Sequence, residues 1–484
     1  MDKAEPSPHP HARAAVASLA AHVRLAVYSG TALYGLLFVA GATAVYLSYQ
    51  GSRLDLGNVT QAVWSTAHGR FLRVSTPAGH ELVRLGSHVD PFLVLLVPLW
   101  WIWPSPLMLL VVQVVAVSAG ALPVYWLGRK HLHSEAAAAG FALVYLLAPA
   151  TQYTALTNSG PHAVSFATPL ILFAIWFLDN DRLVPFAIVA AVAATTKEEI
   201  PIAIGCLGIW YALARGRRRA GATIFALGLA VTLVNFLVVI PHFSPSGANV
   251  FAGRYAAVGG TPGGMVRTLV THPGAYVDAI ASWHKLKYLG FLFLPFVGLW
   301  LLEPLLVLGA VPDLVVNLLS SKPEQTSIVY QYGAGIVPFL TAAAILGAAR
   351  YGRSPGRLAA VALATAAVLV YFQTPLRRSI RDLPETRGTN AVHAAKAHAL
   401  GLIPAGVPVS ATNKLAGYLS TRRIVYVFPH VGRAEWMILE HDDPTYGTQA
   451  ADTVALAKIE SSPHWLSVYS AEGVEVLRKR PPGG

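Results

Sequence analysis

Residues 183–214 read LVPFAIVAAVAATTKEEIPIAIGCLGIWYALA. Two apolar runs flank a turn of five polar residues, TTKEE (195–199), and the second run ends at the basic stretch RGRRR (215–219). Each run is typical of a helix inside a membrane protein, and cations mark cytoplasmic loops. The segment therefore predicts a transmembrane hairpin whose TTKEE turn faces the outer side of the membrane.

The composition of the whole chain agrees with this interpretation. Of 484 residues, 54% are hydrophobic and 12% are charged, whereas a soluble domain is about one quarter charged. Cys206, the only cysteine, excludes an internal disulfide framework, an iron-sulfur cluster and a zinc site of paired thiolates. The net charge of +12 is explained by cytoplasmic loops, because no basic module with interleaved aromatic residues suggests nucleic-acid binding.

The apolar runs predict an all-α polytopic bundle of about eleven spans, some shorter than the roughly 20 residues of an isolated spanning helix. The predicted spans are 26–49, 107–128, 136–155, 163–178, 183–197, 200–214, 221–240, 288–302, 305–320, 336–350 and 357–373. With the N-terminus in the cytoplasm, the inner loops receive the basic residues Arg129, Lys130, Arg182, Arg215, Arg217, Arg218, Arg219, Arg350, Arg353 and Arg357. The C-terminus then lies outside.

This topology divides the chain into three parts. Residues 1–25 form a cytoplasmic tail, residues 26–373 form the membrane domain, and residues 374–484 form a small extracytoplasmic α/β domain. The last part holds 23 of the charged residues in 111 positions. Strands are predicted at 407–411, 424–428, 465–469 and 474–478, and helices near 390–400, 413–420 and 450–460. The apolar segment 91–104 carries three prolines and three tryptophans, and is interpreted as an interfacial or re-entrant helix because a full crossing would place the Arg clusters outside.

The first outer loop, 50–91, holds the leading candidate for a catalytic residue. Its segment SRLDLGNVTQAVW (52–64) predicts an amphipathic helix lying on the bilayer, with Leu56, Val59, Val63 and Trp64 toward lipid and Asp55 at the helix start. A carboxylate at a helix N-terminus stays ionised and can accept a proton from an incoming hydroxyl. The competing interpretation is that Asp55 only caps the helix.

Other polar residues share the predicted outer side. His88 and Asp90 alternate in GSHVDP (86–91) and could face one ligand, although a lone interfacial histidine is more common. In the TTKEE turn, Lys197 could bind an anionic oxygen and Glu198 or Glu199 a cation or a sugar hydroxyl. His162 and His242 each lie where an outer loop meets a span, the second in the long outer loop 241–287; each taken singly is more often a structural residue.

Several patterns favour no further function. The sequence GGTPGG (259–264) has no following Lys-Ser/Thr, so it is interpreted as a flexible loop rather than a phosphate cradle. No Walker motif, nucleophile elbow or zincin helix occurs, which argues against an ATP-driven pump. Asp313 lies in a predicted span beside Pro312 and is either a buried hydrogen-bonding residue or part of a proton path.

A series of short motifs follows in a characteristic order: LDLG (54–57), QAVW (61–64), HG (68–69), His88, Pro91, His162, KEE (197–199), IPH (240–242), VSATN (409–413), LSTRR (419–423) and VYVFP (425–429). In this order they resemble the bacterial predicted-membrane-protein family catalogued as domain of unknown function two thousand and seventy-nine, from about residue 45 onward. That family in turn resembles the polytopic GT-C glycosyltransferases.

The resemblance implies a GT-C-like fold in the bacterial cytoplasmic membrane, a sugar donor carried on polyprenyl phosphate at the outer leaflet, and a catalytic aspartate in the first outer loop, here Asp55. It also implies, in some members, a divalent cation such as Mg²⁺ or Mn²⁺, for which Asp90, Glu198 and Glu199 are the candidate ligands. Two departures matter. The family often has a second Asp where this chain has Thr60, which weakens the case for a metal site of paired carboxylates. The family also often has Lys-Glu-Asp where this chain has Lys197-Glu198-Glu199, a difference that keeps the negative charge.

The leading hypothesis is an inverting glycosyl transfer from a polyprenyl-phosphate donor to a lipid, glycan or protein acceptor, with Asp55 as base. The predicted substrate-binding residues are Arg53, Arg84, His88, His162, Lys197 and His242. A leaving phosphate needs cationic stabilisation, for which Arg53, Arg84, Lys197 and His88 are the nearest candidates. The alternatives are a transporter or lipid flippase, favoured by Asp313 and by Pro and Gly within spans, and a non-catalytic scaffold for the C-terminal domain.

Overall fold

The computed structural model describes residues 10–157, 160–247, 250–352, 354–377, 390–441, 443 and 449–480. Most of it is a helical bundle. The helices of the bundle are Pro10–Leu47, Pro106–Ala119, Ala121–Leu132, Glu135–Leu147, Pro149–Ala155, Ala167–Asp179, Leu183–Ala194, Ile200–Ala214, Arg218–Val234, Trp283–Phe293, Pro304–Val307, Val311–Leu319, Val337–Tyr351 and Pro355–Phe372. Every predicted span coincides with one or two of these helices; residue 353 of the predicted inner loops lies outside the described residues.

Only some of these helices are long enough to cross a bilayer alone. Within the described ranges, four stretches pass by length and hydropathy: Ser18–Leu47, Pro106–Leu132, Arg218–Phe243 and Pro355–Phe372. Glu135–Leu147 and Pro149–Ala155 together form a fifth candidate, bent by 60° where Pro149 starts the second helix. Six more apolar helices have 10–17 residues. The count of eleven spans therefore stays a prediction, while the helical character of all eleven segments is confirmed.

The predicted cytoplasmic ends of the helices meet in a cluster of ion pairs. Asp179, which is fully buried, contacts Lys130 (Nζ–Oδ2 2.7 Å), His131 (Nε2–Oδ2 2.8 Å) and Arg215 (Nη1–Oδ1 3.4 Å). Arg217 pairs with the neighbouring Asp181. Basic residues far apart in sequence thus lie at one end of the bundle, as the positive-inside pattern predicts.

The first outer loop folds onto the protein rather than onto lipid. A five-residue π-helical turn, Arg53–Gly57, leads into the helix Asn58–Ala67, and the hairpin of β1 (Arg73–Ser75) and β2 (Glu81–Val83) follows. Leu56, Val59 and Val63 are each at most 2% exposed, and Trp64 is partly buried against the same cluster as Val59 and Val63. The predicted bilayer-facing amphipathic helix is therefore wrong: its apolar face covers the protein core, where tertiary contacts remove more apolar surface from water.

The segment after this hairpin matches the predicted short helix. A 3₁₀ helix, Pro91–Leu96, continues into an α-helix, Val97–Ile102. Leu93 and Trp100 are buried, whereas Trp101 and Ile102 are 66% and 82% exposed. An exposed aromatic and aliphatic end on a helix this short is typical of an interfacial segment. Whether it re-enters the bilayer stays a prediction.

Shorter elements connect or interrupt the helices of the bundle. They are the helices Ile240–Phe243, Pro262–Thr271 and Gly274–Ile280, the π-helical turn Asn235–Val239, and the 3₁₀ turns Arg84–Gly86, Ala163–Phe166, Ala252–Val258, Leu294–Phe296, Leu299–Leu302, Leu308–Ala310, Pro323–Thr326 and Gln331–Gly333. The helix Ile240–Phe243 packs on the turn Arg84–Gly86, where a Cβ on Gly86 would lie 2.4 Å from the Phe243 carbonyl oxygen. Outer loops distant in sequence therefore touch backbone to backbone.

The C-terminal residues form the expected small α/β domain. Its strands are β3 (Val409–Ala411), β4 (Val425–Val427), β5 (Trp436–Glu440), β6 (Trp465–Ala471) and β7 (Val474–Lys479), in the sheet order β4-β3-β5-β7-β6. The β4-β3-β5 pairs are parallel and the β5-β7-β6 pairs antiparallel. The helices are Ala391–Leu402, Asn413–Tyr418 and Gln449–Glu460. All four predicted strands and all three helices are confirmed, and β5 was missed.

Candidate functional site

Asp55 occupies the middle of the π-helical turn that follows the first long helix. Ser52 is the N-cap: its Oγ accepts a hydrogen bond from the Asp55 N–H (3.1 Å) and lies 3.2 Å from Asp55 Oδ2, to which it donates. Asp55 is half-buried, and among the described residues its carboxylate accepts from Ser52 alone. Because Ser52 provides the cap, the interpretation of Asp55 as a plain N-cap does not describe this turn.

His162 lies next to this carboxylate. The chain at Gly160 approaches the Asp55 turn so closely that a Cβ there would lie 2.2 Å from Leu56 N. Two residues on, the His162 N–H donates to Gln113 Oε1 (2.7 Å), and His162 Nε2 is buried without a partner among the described residues. Burial lowers the pKa of His162 to about 4, with Asp55 opposing and nearby cations adding to the effect. His162 is therefore neutral at pH 7 and can donate or accept one hydrogen bond.

The TTKEE turn brings Lys197 to the same side of the bundle. Its ammonium pairs with the Glu199 carboxylate and lies 5.8 Å from the centre of the Tyr332 ring. Although burial opposes the charge of Lys197, the carboxylates of Glu199, Asp313 and Glu198 raise its pKa. Burial raises the pKa of Glu199 to about 8, with Lys197 opposing and Glu198 and Asp313 adding to the effect. Lys197 is thus a fixed positive charge in an otherwise acidic group.

His88 and Asp90 do not face one ligand. His88 Nδ1 lies 3.4 Å from Glu198 Oε1, and the Val89 N–H donates to Glu198 Oε2 (3.1 Å). Although burial opposes the charge of Glu198, its pKa is lowered to about 2 by His88 and further by Lys197. Asp90 instead binds Arg84, whose Nε and Nη2 lie 2.8 Å and 2.7 Å from Asp90 Oδ2. The two alternating residues therefore belong to separate pairs.

Arg254 is a further cation at this site that the sequence did not single out. It lies on the 3₁₀ turn Ala252–Val258 of the long outer loop, 4.1 Å above the Phe251 ring, which in turn stacks on His88. Its Nη1 donates to Gln325 Oε1 (3.2 Å), and no described carboxylate pairs with it. Burial raises the pKa of Tyr332, with Lys197 and Arg254 opposing and Asp55 adding to the effect. The one signal in the sequence was an arginine among aromatic residues, FAGRY (251–255).

Three of the predicted substrate-binding residues are either buried or lie apart from the polar groups around Asp55. Arg53 is 2% exposed, and its Nη2 donates to Gln61 Oε1 (2.6 Å) and to the Ser75 carbonyl (2.8 Å). Arg84 is 7% exposed and is held by Asp90. His242 is exposed, edge-on to Phe243. Substrate binding by these residues stays a prediction that the geometry does not favour.

The described residues do not form a metal centre of the usual kind. Among them, no three or more His, Cys, Asp or Glu side chains are placed to hold a metal ion. The predicted ligands Asp90, Glu198 and Glu199 face Arg84, His88 and Lys197 respectively, so a cation there would have to displace existing positive or hydrogen-bonding partners. The residues do not fit a divalent cation, and that hypothesis stays a prediction.

A surface cavity of about 390 Å³ lies at the opposite, basic end of the bundle, lined by residues such as Trp126, Arg129 and Trp176. It is remote from Asp55, because the lining residue Trp126 contacts Tyr28 in the middle of the long first helix, whereas Asp55 follows the end of that helix. The polar groups that could act on a substrate are instead those around Asp55 at the other end: Asp55, His88, His162, Lys197, Glu198, Arg254 and Tyr332.

Fold and site together define a polytopic helical membrane protein with polar groups at one end of the bundle and a small α/β domain. A family model described as "Predicted membrane protein (DUF2079)" matches residues 46–476. The chain therefore belongs to this family, which confirms the resemblance found in the short motifs. No curated protein sequence matches the chain.

Two solved structures share this fold. The structure of ArnT from Cupriavidus metallidurans bound to undecaprenyl phosphate has a TM-score of 0.53 and 13% identity, covering 91% of this chain and 97% of ArnT. The apo structure of the same protein has a TM-score of 0.51 and 15% identity over the same shares. At this identity the likeness establishes the fold alone. The mostly helical fold expected from the resemblance is thereby confirmed, and it is similar to that of ArnT.

Proposed function

We propose that this protein is a membrane glycosyltransferase that moves a sugar from a polyprenyl-phosphate donor to an acceptor at the outer leaflet, with Asp55 as the base. The observation that carries the proposal is the carboxylate of Asp55, half-buried on a fixed turn with a single described partner. The fold shared with ArnT supports it, because one ArnT structure holds undecaprenyl phosphate. A donor confined to the bilayer suits a site at the end of a membrane bundle.

The reaction needs one proton acceptor and one place for developing negative charge. The oxygen of the acceptor hydroxyl forms a bond to the anomeric carbon, and the bond from that carbon to the phosphate oxygen breaks with its electron pair on the phosphate. The hydroxyl proton passes to Asp55, and attack opposite the leaving group inverts the anomeric centre. His162, neutral at pH 7, lies beside Asp55 and can orient the hydroxyl.

The leaving phosphate is best stabilised by a cation that no carboxylate already neutralises. Lys197 lies among the carboxyl groups of Glu199, Asp313 and Glu198, and Arg84 pairs with Asp90. Arg254 has no described carboxylate partner, so its planar guanidinium is available to bind phosphate oxygens in a bidentate way. We assign the phosphate to Arg254, with Lys197 contributing to the local positive potential.

The test uses the purified protein in lipid nanodiscs with a panel of undecaprenyl-phosphate hexoses and pentoses, radiolabelled in the sugar, and with an extract of bacterial envelope lipids and glycans as the source of acceptor hydroxyls. Loss of label from the lipid supports the proposal. Arg254→Ala is expected to lower kcat/KM about 10- to 100-fold, the worth of a hydrogen bond to a charged group. Arg267→Ala, an exposed arginine in the same outer loop, is the matched control. If no donor loses its sugar, or if both variants behave alike, the proposal fails.

Asp313 keeps the transporter alternative open. It is 4% exposed, its Oδ1 has no hydrogen-bond partner in the described structure, and its charge acts on Lys197. A buried carboxylate inside a membrane bundle is expensive and is often part of an ion path. If vesicles containing the protein show lipid or solute movement that Asp313→Asn abolishes, while no sugar transfer occurs, a transporter or flippase replaces the glycosyltransferase.

A further inference from the structure

The C-terminal domain holds the backbone of the turn that carries Asp55. Its short helix Asn413–Tyr418 supplies two side chains to this turn. Asn413 Oδ1 accepts a hydrogen bond from the Arg53 N–H (3.0 Å), and the Tyr418 hydroxyl oxygen accepts one from the Gly51 N–H (3.2 Å). The same hydroxyl donates to the Tyr46 carbonyl at the end of the long first helix (2.8 Å). Two segments that lie 360 or more positions apart in the sequence are thus hydrogen-bonded directly at the turn that carries Asp55.

The backbones of the two segments are in contact at this point. A Cβ on Gly57 would lie 2.5 Å from Ser420 Oγ and 3.2 Å from Gly417 Cα. A Cβ on Gly417 would lie 3.1 Å from the Ser52 carbonyl. Glycine at both positions lets the domain approach the turn more closely than any larger residue would allow. The contact is therefore built into both segments.

A second set of bonds fixes the other side of the turn. Gln61 Nε2 donates to the Arg422 carbonyl (2.8 Å), while its Oε1 accepts from the Arg53 guanidinium (2.6 Å). The Val425 N–H of β4 donates to Ser75 Oγ (3.2 Å). Arg53 also donates to the Ser75 carbonyl. The Arg53 side chain, next to Asp55 in the sequence, is therefore linked to the C-terminal domain through both Gln61 and Ser75.

Such support matters because the turn is weak on its own. A π-helical turn is rare and frequently occurs at functional sites, and the first N–H groups of a helical segment have no acceptor within it. Here the amides of Gly51 and Arg53 find their acceptors in the C-terminal domain. A catalytic carboxylate must be held within about 0.5 Å of its productive position.

We infer that the C-terminal domain positions the Asp55 turn, and that Asn413 is the positioning residue of this contact. Asn413 touches no reacting atom; it acts through the Arg53 amide. The inference rests on the proposed function only for its effect on turnover, since its effect on the turn is measurable without any substrate.

The test compares Asn413→Ala with Asn390→Ala in the full-length protein. Asn390 is the matched control: it caps the helix Ala391–Leu402 of the same domain by accepting from the Val392 N–H (2.9 Å), and among the described residues it makes no hydrogen bond to the Asp55 turn. Asn413→Asp keeps an oxygen acceptor for the Arg53 amide and serves as the rescue variant. Thermal unfolding of all three variants shows that they fold.

The first readout is amide hydrogen exchange of the peptide 50–57. Asn413→Ala is expected to speed exchange at Arg53 roughly 2- to 12-fold, corresponding to the loss of one hydrogen bond. Asn390→Ala should leave this peptide unchanged, and Asn413→Asp should restore the wild-type rate. Unchanged exchange in Asn413→Ala, or an equal change in Asn390→Ala, overturns the inference.

The second readout is turnover of whichever undecaprenyl-phosphate sugar the wild type uses. Asn413→Ala is expected to lower kcat at least about tenfold with the KM for the donor within twofold, because a displaced base affects the chemical step. Faster exchange with unchanged kcat shows a merely structural contact and overturns the positioning role. A wild type that is inactive with every donor refutes the proposed function alone, and the exchange measurement still decides whether the domain holds the turn.

Discussion

Replacement of Asp55 by Asn tests the central assignment most directly. Asn keeps the size of the side chain and an oxygen that can accept from Ser52 Oγ, which lies 3.2 Å from the present carboxylate. The substitution removes the negative charge and the ability to take a proton. Fold and donor binding should therefore persist while proton transfer is lost.

The two roles of Asp55 predict effects of very different size. A structural role is limited to the one described hydrogen bond of a half-buried side chain, which is worth about 0.5–1.5 kcal/mol of folding free energy. Loss of a general base typically slows a reaction about 100- to 10,000-fold, which corresponds to roughly 2.7–5.4 kcal/mol in the activation barrier. A stability change of the first size shifts the melting temperature by only a few degrees for a chain of this length.

The assay measures release of radiolabelled sugar from the undecaprenyl-phosphate donor by purified protein in nanodiscs, with donor binding followed in parallel. We expect Asp55→Asn to bind donor with near wild-type affinity and to turn it over at least about 100-fold more slowly. Asp278→Asn is the control, since Asp278 is an exposed aspartate of the long outer loop. An Asp55→Asn protein that transfers sugar within threefold of the wild-type rate would refute the assignment of Asp55 as the base.

Three further predictions concern topology, close packing and pH. In a cysteine-free background, a cysteine at the exposed Ser354 should resist an impermeant thiol reagent in intact cells and one at the exposed Ser467 should react; the reverse pattern would invert the topology. Gly160→Ala should abolish sugar transfer, because the new Cβ would lie 2.2 Å from Leu56 N. Gly69 also has a positive φ but has open space around it, so Gly69→Ala should retain activity. Equal activities of the two variants would show that the Asp55 turn tolerates displacement. Burial lowers the pKa of His162 to about 4, from about 6.5 in the unfolded chain. Between these two pH values the unfolded state binds more protons than the folded state, so the free energy of unfolding should fall as the pH drops through this window. His162→Gln should remove this part of the pH dependence, and an unchanged pH profile of stability would contradict a buried, neutral His162.

The sequence alone predicted much of the fold. Apolar runs located the helical segments, because burial in lipid or in a bundle demands long apolar stretches whatever they contact. The bias of Arg and Lys correctly grouped helix ends that the structure brings together around Asp179. In the C-terminal domain, β5 was missed because WMILE (436–440) lies between β3 and β7 and its three central residues are buried, so it lacks the polar-apolar alternation by which a half-exposed strand is found.

The sequence also predicted that Asp55, His88, His162 and Lys197 share one side of the membrane, and the structure brings them to one end of the bundle, but the sequence did not show what each one contacts there. Order along the chain cannot show that His88 meets Glu198 from 110 residues away, or that Asp90 is already neutralised by Arg84. Ion pairs and hydrogen bonds depend on approach within a few ångströms, which long-range packing sets. For the same reason only the tertiary structure showed that Arg254 lies beside Tyr332 and that Asn413 Oδ1 accepts a hydrogen bond from the turn that carries Asp55. Neither contact leaves a local pattern in the sequence.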